Sequence, residues 1–176
     1  LATVSHQHIY GLLFRVLWPL AAKRCFHSEI YLSPEHLLNH VQKSTDCWIA
    51  SPAQLKRLDE LTPWLEISAL NTIFSSGGEL PVETALHINK VCGQKIIEIY
   101  GSSETGGIAW RQSVNNELWT VFDQINVSVD NDQMARLSSP YLPSATVMIL
   151  DDKIQAVNQK QFILLGRKDR LVKIEE

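Results

Sequence analysis

Cysteine is scarce in this sequence: Cys25, Cys47 and Cys92 stand far apart among 176 residues, with no Cys-x-x-Cys pair. An odd, widely spaced set argues against a disulfide framework and against a cysteine zinc site. It fits reduced thiols in a cytoplasmic protein, each acting as a small buried hydrophobe. Positive charge is not in excess either. Lys and Arg number 16 against 19 Asp and Glu, a formal net charge of −3, which argues against a nucleic-acid partner gripped by electrostatics. The one basic concentration is Arg167, Lys168, Arg170 and Lys173. No apolar run is long enough to cross a bilayer. Gly11 to Ala22 comes nearest, but Arg15 and Pro19 interrupt it, and it lacks the basic lead-in and cleavage site of a signal peptide. It is expected to form a buried helix. Metal-ligand spacing is missing among the six histidines: His36 and His40 are four apart, without a third ligand, and are expected on a solvated helix face. There is no internal repeat and no low-complexity tract.

What is present suffices for one sizeable core, or for a domain with a smaller unit appended, since 45% of the residues are hydrophobic. From Leu1 to about Tyr100, helix-like and strand-like segments alternate. Ser33-Pro34 reads as a capped helix start, and Ser51-Pro52-Ala53-Gln54 repeats it with a glutamine able to complete a capping box. Pro81 opens a third helix with Val82, Ala85, Leu86 and Val91 near one face, and Gly93 is placed to end it. Between the helices lie Cys47–Ala50, Thr72–Phe74 and Lys95–Tyr100, short apolar runs that predict parallel strands with crossover helices. Past Gly107 the helical period disappears. Strand-like segments broken at 115–116, 130–132 and 140–143 predict a small antiparallel, barrel-like β unit. The expected organisation is an α/β portion over residues 1–107, an antiparallel unit over 108–166, and a connecting segment over 167–176.

Ligands of parallel α/β sheets gather beyond the carboxyl ends of the strands. That rule singles out two loops, Ser75–Leu80 and Gly101–Gly107, which hold five of the eight glycines. The paired Gly77-Gly78 would let a flat ligand lie against the backbone, although such turns carry glycine for steric reasons too. Tyr100-Gly101-Ser102-Ser103-Glu104-Thr105-Gly106-Gly107 combines an aromatic face, hydroxyls, a carboxylate and glycines. Hydroxyls and backbone N–H groups suit phosphate oxygens, and a lone carboxylate beside them suits Mg²⁺ held jointly with a substrate's phosphates. The alternative is a polar turn joining the sheet to the next unit. That accounts for the glycines but leaves Glu104, among hydroxyls at the end of a buried strand, unexplained.

Taken together, these stretches resemble the adenylate-forming superfamily of acyl- and aryl-CoA ligases, luciferases and peptide-synthetase adenylation domains. Tyr100-Gly101-Ser102-Ser103-Glu104 is similar to the family's Tyr-Gly-x-Thr-Glu signature, with serine in place of threonine. Ser76-Gly77-Gly78-Glu79-Leu80 resembles its adenine-binding segment, and His8-Ile9-Tyr10-Gly11 its His-x-x-Gly segment near the acid pocket. Gly166-Arg167-Lys168-Asp169-Arg170, with Val172-Lys173-Ile174, resembles the hinge before a mobile C-terminal lid. All four motifs fall in the family's order.

The resemblance implies roles. Tyr100 would flank the adenine, with Gly77, Gly78 and Glu79 on the opposite wall. Gly101, Ser102 and Ser103 would belong to the nucleotide site, Ser103 meeting the α-phosphate, and Glu104 would hold Mg²⁺. Asp152, with Asp151 as the fallback, would bind the ribose hydroxyls, and Arg167 would reach the ribose or phosphate. His8 and Gly106 would line the acid pocket, and Asp169 would be the hinge pivot. The implied reaction consumes ATP and a carboxylic acid, forms an acyl-adenylate with AMP as the later product, and passes the acyl group to coenzyme A or to the phosphopantetheine of an acyl carrier protein. The family's phosphate loop and its lid lysine have no counterpart here, and the sequence opens and closes inside apolar segments. The expectation is therefore an internal portion that does not catalyse alone. A non-catalytic nucleotide-binding domain and a structural α/β domain remain the alternatives.

Overall fold

The computed structural model describes residues 1–42, 46–112, 114, 117–143 and 147–167. The three predicted apolar runs become parallel strands: β1 (Cys47–Ala50), β2 (Thr72–Ser75) and β3 (Ile96–Ser102), with Cys47 opposite Thr72 and Ile73 opposite Ile96. Successive side chains on a strand point to opposite faces. Trp48, Ala50, Ile73 and Ile96 accordingly enter one buried cluster, and Ile49, Phe74 and Ile99 another. Burial on both faces explains why these strands are continuous apolar runs instead of alternating ones.

Four short helices serve the first face. They are α3 (Pro34–Leu38), α4 (Pro52–Leu55), α5 (Trp64–Ser68) and α6 (Val82–Cys92), contributing Leu37, Leu38, Leu55, Ile67, Ala85 and Ile88 to its core. Ser33 caps α3 as expected, its hydroxyl accepting from the His36 N–H at 3.3 Å. Ser51 precedes α4 but makes no side-chain cap, and the Gln54 Oε1 is buried without a partner, so the expected capping box does not form. Gly93 ends α6 with φ of 74°, the left-handed conformation that glycine adopts without strain. The face of α6 differs from expectation. Ala85 and Ile88 are buried, whereas Val82, Leu86 and Val91 are about half exposed.

The other face is covered by one helical run: α1 (Ile9–Gly11), a π-helical stretch Leu12–Leu17, and α2 (Trp18–Ala21). Pro19 brings no N–H, and its ring crowds the carbonyl one turn back; the widened turns ahead of it relieve that crowding. Tyr10 and Phe14 pack on the Phe74–Ile99 cluster. The expected buried helix is thus buried on one side only, since Leu17, Trp18 and Leu20 are half exposed. Cys25 is exposed and Cys47 and Cys92 are half-buried, so the expectation of buried cysteines fails for Cys25.

β3 turns directly into β4 (Gly106–Gln112), and the antiparallel strands continue the same sheet: β5 (Leu118–Val121), β6 (Asn126–Val129), β7 (Met134–Ser138), β8 (Met148–Ala156) and β9 (Gln161–Arg167), in the order β1-β2-β3-β4-β5-β9-β8-β7-β6. Gly101–Gly107 is therefore a hairpin within the ladder and not a connector to a detached unit. The antiparallel half has its own core of Ile108, Ala109, Trp119, Val121, Leu137, Ile154 and Phe162, with Tyr100 packed against it. Residues 168–176, including Asp169 and most of the expected connecting segment, lie outside the described residues.

Candidate functional site

Two loops meet at the carboxyl ends of β2 and β3. Ser75 lies opposite Glu98 in the parallel register, and the Ser76 hydroxyl donates to the Ile99 carbonyl at 2.8 Å, tying the first loop to β3 one residue before Tyr100. Beyond that tie Gly77, Gly78 and Glu79 are exposed, and Gly77 has φ of 86°. The loop thus presents bare backbone just past its tie to β3. The Ser75 hydroxyl is buried and unpartnered at its base.

The second loop is a tight hairpin. The Ser102 N–H donates to the Thr105 hydroxyl at 3.0 Å, and the Ser102 hydroxyl accepts from the Glu104 and Thr105 N–H groups at 3.3 Å each. Thr105 is buried, whereas Gly101, Ser102, Ser103 and Glu104 are exposed. The Ser102 side chain is therefore spent on shaping the turn, which leaves the Ser103 hydroxyl and the Glu104 carboxylate at its tip. The Ser102 hydroxyl, and then the Glu104 N–H, hold the Glu104 carboxyl below the usual carboxylate range, so it is ionised at neutral pH. A Cβ added to Gly101 would lie 2.0 Å from the Gly106 carbonyl oxygen. Gly101→Ala is expected to destabilise the fold by about 1–3 kcal/mol, the usual cost of forcing atoms into a packed site, measured as a lower urea midpoint with an unchanged slope. An unchanged midpoint would mean that the hairpin opens freely.

Tyr100 is where the two halves converge. Its ring lies 5.6 Å from Trp119 and 5.9 Å from Phe162, centroid to centroid. Its hydroxyl is buried without a well-formed hydrogen bond, and burial, then the Asp152 carboxylate, raises its pKa, with Arg167 acting in the opposite sense. β8 is four positions from β3 in the ladder, about 19 Å along a flat sheet at ~4.8 Å per strand. A tyrosine side chain cannot reach that far, so the sheet curls over Tyr100 and brings Asp152 and Arg167 to it. These two sit opposite each other on β8 and β9. Asp152 is half-buried, whereas Asp151 is exposed and makes only a loose, solvated 3.9 Å pair with Arg167.

His8 is exposed at the N-cap of α1, and its side chain makes no cap bond. α1 packs against β4, the strand that begins at Gly106, so the His8-x-x-Gly11 segment and Gly106 belong to neighbouring elements. Gly11 is dictated by space, since a Cβ there would stand 2.0 Å from the Ser5 carbonyl oxygen. A separate cavity of about 480 Å³ opens at the other ends of β1 and β2, lined by Phe14, Trp18, Phe26, Cys47 and Phe74 among others; none of the residues of the two loops lines it.

Sequence reasoning missed Glu98 and Arg111. Glu98 is 2% exposed, accepts from the Arg111 Nε at 2.8 Å, and accepts from the Leu80 N–H at 3.2 Å. A charged residue within an otherwise apolar strand was the available signal.

Among the described residues no group of three or more His, Cys, Asp or Glu side chains could hold a metal ion. Glu104 beside the hairpin hydroxyls is a donor set of the kind that could hold a cation jointly with a ligand's phosphates. No helix among the described residues is long and apolar enough to cross a membrane.

The chain belongs to the AMP-binding enzyme family, whose profile matches residues 1–161. Among individual proteins it is similar to a 4-coumarate–CoA ligase from Cereibacter sphaeroides, 28% identical over 99% of this chain and 39% of that protein. Its fold is similar to that of apo MatB from Rhodopseudomonas palustris (TM-score 0.81, 14% identity, 94% of this chain and 39% of the other). It is also similar to a benzoate CoA ligase from Burkholderia xenovorans (TM-score 0.78, 14% identity, 98% and 42%). The chain spans about two fifths of the length of these relatives.

Proposed function

We propose that this chain is the nucleotide- and acid-binding portion of an ATP-dependent acid–thiol ligase that forms an acyl-adenylate and transfers the acyl group to coenzyme A. The observation that carries the reading is that the Gly77–Gly78 loop is tied to β3 one residue before Tyr100, whose ring meets Phe162 of β9 at 5.9 Å, the strand that carries Arg167 opposite Asp152. In this reading the adenine lies between Tyr100 and the glycine wall, and Asp152 accepts from the ribose hydroxyls. Arg167 sits against the ribose or α-phosphate, and Ser103 donates to a phosphate oxygen. His8 and Gly106 border the acid. Residues 1–107 and 108–166 act as two portions of the one sheet, and 167–176 is the hinge segment, with Asp169 as its pivot. Coenzyme A is favoured over carrier-protein phosphopantetheine because the similar proteins are CoA ligases: a 4-coumarate–CoA ligase, a benzoate CoA ligase and a malonyl-CoA ligase held in a product complex with methylmalonyl-CoA and AMP.

Adenylation needs charge on the phosphates to be neutralised as the carboxylate attacks, and preorganised positive groups and donors supply most of such stabilisation. Magnesium, when bound with the phosphates, supplies part of that neutralisation, and Glu104 is the residue that would hold it. The test is acid-dependent exchange of pyrophosphate into ATP by the full-length protein over a panel of aryl and alkyl acids. Exchange with at least one acid is expected. In the same assay Glu104→Ala is expected to raise the Mg²⁺ concentration for half-maximal rate about tenfold or more, with partial rescue at high Mg²⁺. A Glu104→Ala enzyme with the ordinary rate at low Mg²⁺ would remove Glu104 from the metal site.

A further inference from the structure

The nucleotide roles proposed above leave unexplained the one buried ion pair described in the sheet. Glu98 on β3 and Arg111 on β4 are directly opposed in the antiparallel register. One carboxylate oxygen of Glu98 accepts from Arg111 at 2.8 Å, and the other accepts from the backbone N–H of Leu80 at 3.2 Å. Leu80 closes the loop that carries Gly77, Gly78 and Glu79. The guanidinium of Arg111 lies 4.5 Å from the centre of the Trp119 ring, and Trp119 is the platform on which Tyr100 rests, 5.6 Å away. A single carboxylate is thus linked to both elements that the nucleotide reading makes the walls of the adenine site. It reaches one through the Leu80 amide and the other through Arg111 and Trp119.

Stability does not account for this arrangement. Buried ion pairs are commonly neutral or worse relative to apolar side chains of the same volume, because both charges lose their water. Geometry accounts for it better. The glycine loop has few ties of its own: Ser76 holds its near end to Ile99, and Leu80 holds its far end to Glu98. Without the second tie the loop could swing away from Tyr100, and the separation of the two walls would no longer match the thickness of a base.

We propose that Glu98 and Arg111 are positioning residues for the nucleotide: a buried brace that sets the spacing between the Gly77–Gly78 backbone and Tyr100. The inference rests on the nucleotide reading given above. The brace itself touches no substrate. Its loss therefore acts on nucleotide affinity more than on turnover, because preorganisation lowers the ordering cost of binding.

Two double variants of the full-length protein separate the brace from the charges. Glu98→Met/Arg111→Met removes both charges and leaves Leu80 without an acceptor. Glu98→Gln/Arg111→Gln also removes both charges but lets one amide oxygen accept from Leu80 while its NH₂ group donates to the other amide. Calorimetric titration with AMP is expected to give a Kd raised about tenfold or more in the methionine pair and about threefold in the glutamine pair, the difference being the hydrogen bond to Leu80. The KM for ATP is expected to follow the Kd, with kcat changed less than about threefold. The Tm of both variants is expected to stay within about 5 °C of the wild type. If the methionine pair melts early, Arg111→Lys is the second probe. It keeps charge against Glu98 but takes the flat guanidinium from Trp119, and is expected to weaken AMP binding about threefold. A folded methionine pair or Arg111→Lys variant with unchanged AMP affinity overturns the brace, as do equal losses in the two double variants. A wild-type protein that binds no AMP overturns the nucleotide reading and the brace with it, so the two failures are told apart.

Discussion

Asp169→Pro in the full-length enzyme is expected to keep acid-dependent pyrophosphate exchange within a few-fold of the wild type, and to lose thioester formation by about two orders of magnitude or more. The expectation comes from the proposed hinge. A ligase that uses one site for two chemical steps must rearrange between them, and such rearrangements are absorbed by a few loop positions whose φ and ψ change greatly. Asp169 follows Arg167, the last residue of β9, by two positions, within the dense polar run Arg167-Lys168-Asp169-Arg170. Proline there would hold φ near −65° and remove an N–H, which stops a swing at that position and leaves Tyr100, Asp152 and the glycine loop unsubstituted. An ordinary surface turn would respond differently: both half-reactions would be unaffected, or both would fall together as the protein misfolded. Measuring the two half-reactions separately on one folded variant decides the matter, and parallel losses would remove the hinge assignment.

The parallel half of the sheet could be read from the sequence because each strand is a short apolar run bounded by polar or capping residues, as with Cys47–Ala50 between Asp46 and Ser51. The two loops could be read for the same reason, since a ligand-facing turn must follow such a strand. Helix faces were harder to assign. α6 carries two apolar stripes, one through Val82 and Leu86 and one through Ala85, Ile88 and Cys92. Periodicity alone does not say which stripe the sheet will bury, and packing selected the second. Gly11–Ala22 misled in the opposite way. A segment apolar all round reads as enclosed, yet only the Phe14 side of it meets the strands.

The site itself divides similarly. Tyr100, the glycine loop and the hairpin are local in sequence and announce themselves as motifs. The approach of Asp152 and Arg167 to Tyr100 depends on the curl of a sheet across residues more than fifty positions apart. A resemblance can imply that meeting, but composition and spacing cannot. The Glu98–Arg111 pair depends on strand register, which a hairpin with a bulge between Tyr100 and Gly101 does not reveal in advance.

The second large effect concerns Asp152. Its carboxylate is half-buried on β8, facing the Tyr100 hydroxyl and opposite Arg167, while its neighbour Asp151 points to solvent. A carboxylate so placed suits two adjacent ribose hydroxyls, and hydrogen bonds to a charged acceptor contribute about 1.5–3 kcal/mol, or about 10- to 100-fold in affinity. A general disturbance of the pocket would weaken every adenine nucleotide alike. Loss of a ribose contact weakens only those that carry the hydroxyls. The deciding measurement is calorimetric titration of the full-length wild type and Asp152→Ala with AMP and with 2′,3′-dideoxy-AMP. The account predicts that AMP binds the wild type and loses about 10- to 100-fold in Asp152→Ala, whereas the dideoxy nucleotide binds both proteins with the same, weaker affinity. A wild type that binds no AMP, or an Asp152→Ala variant that binds AMP as tightly as the wild type, would contradict it.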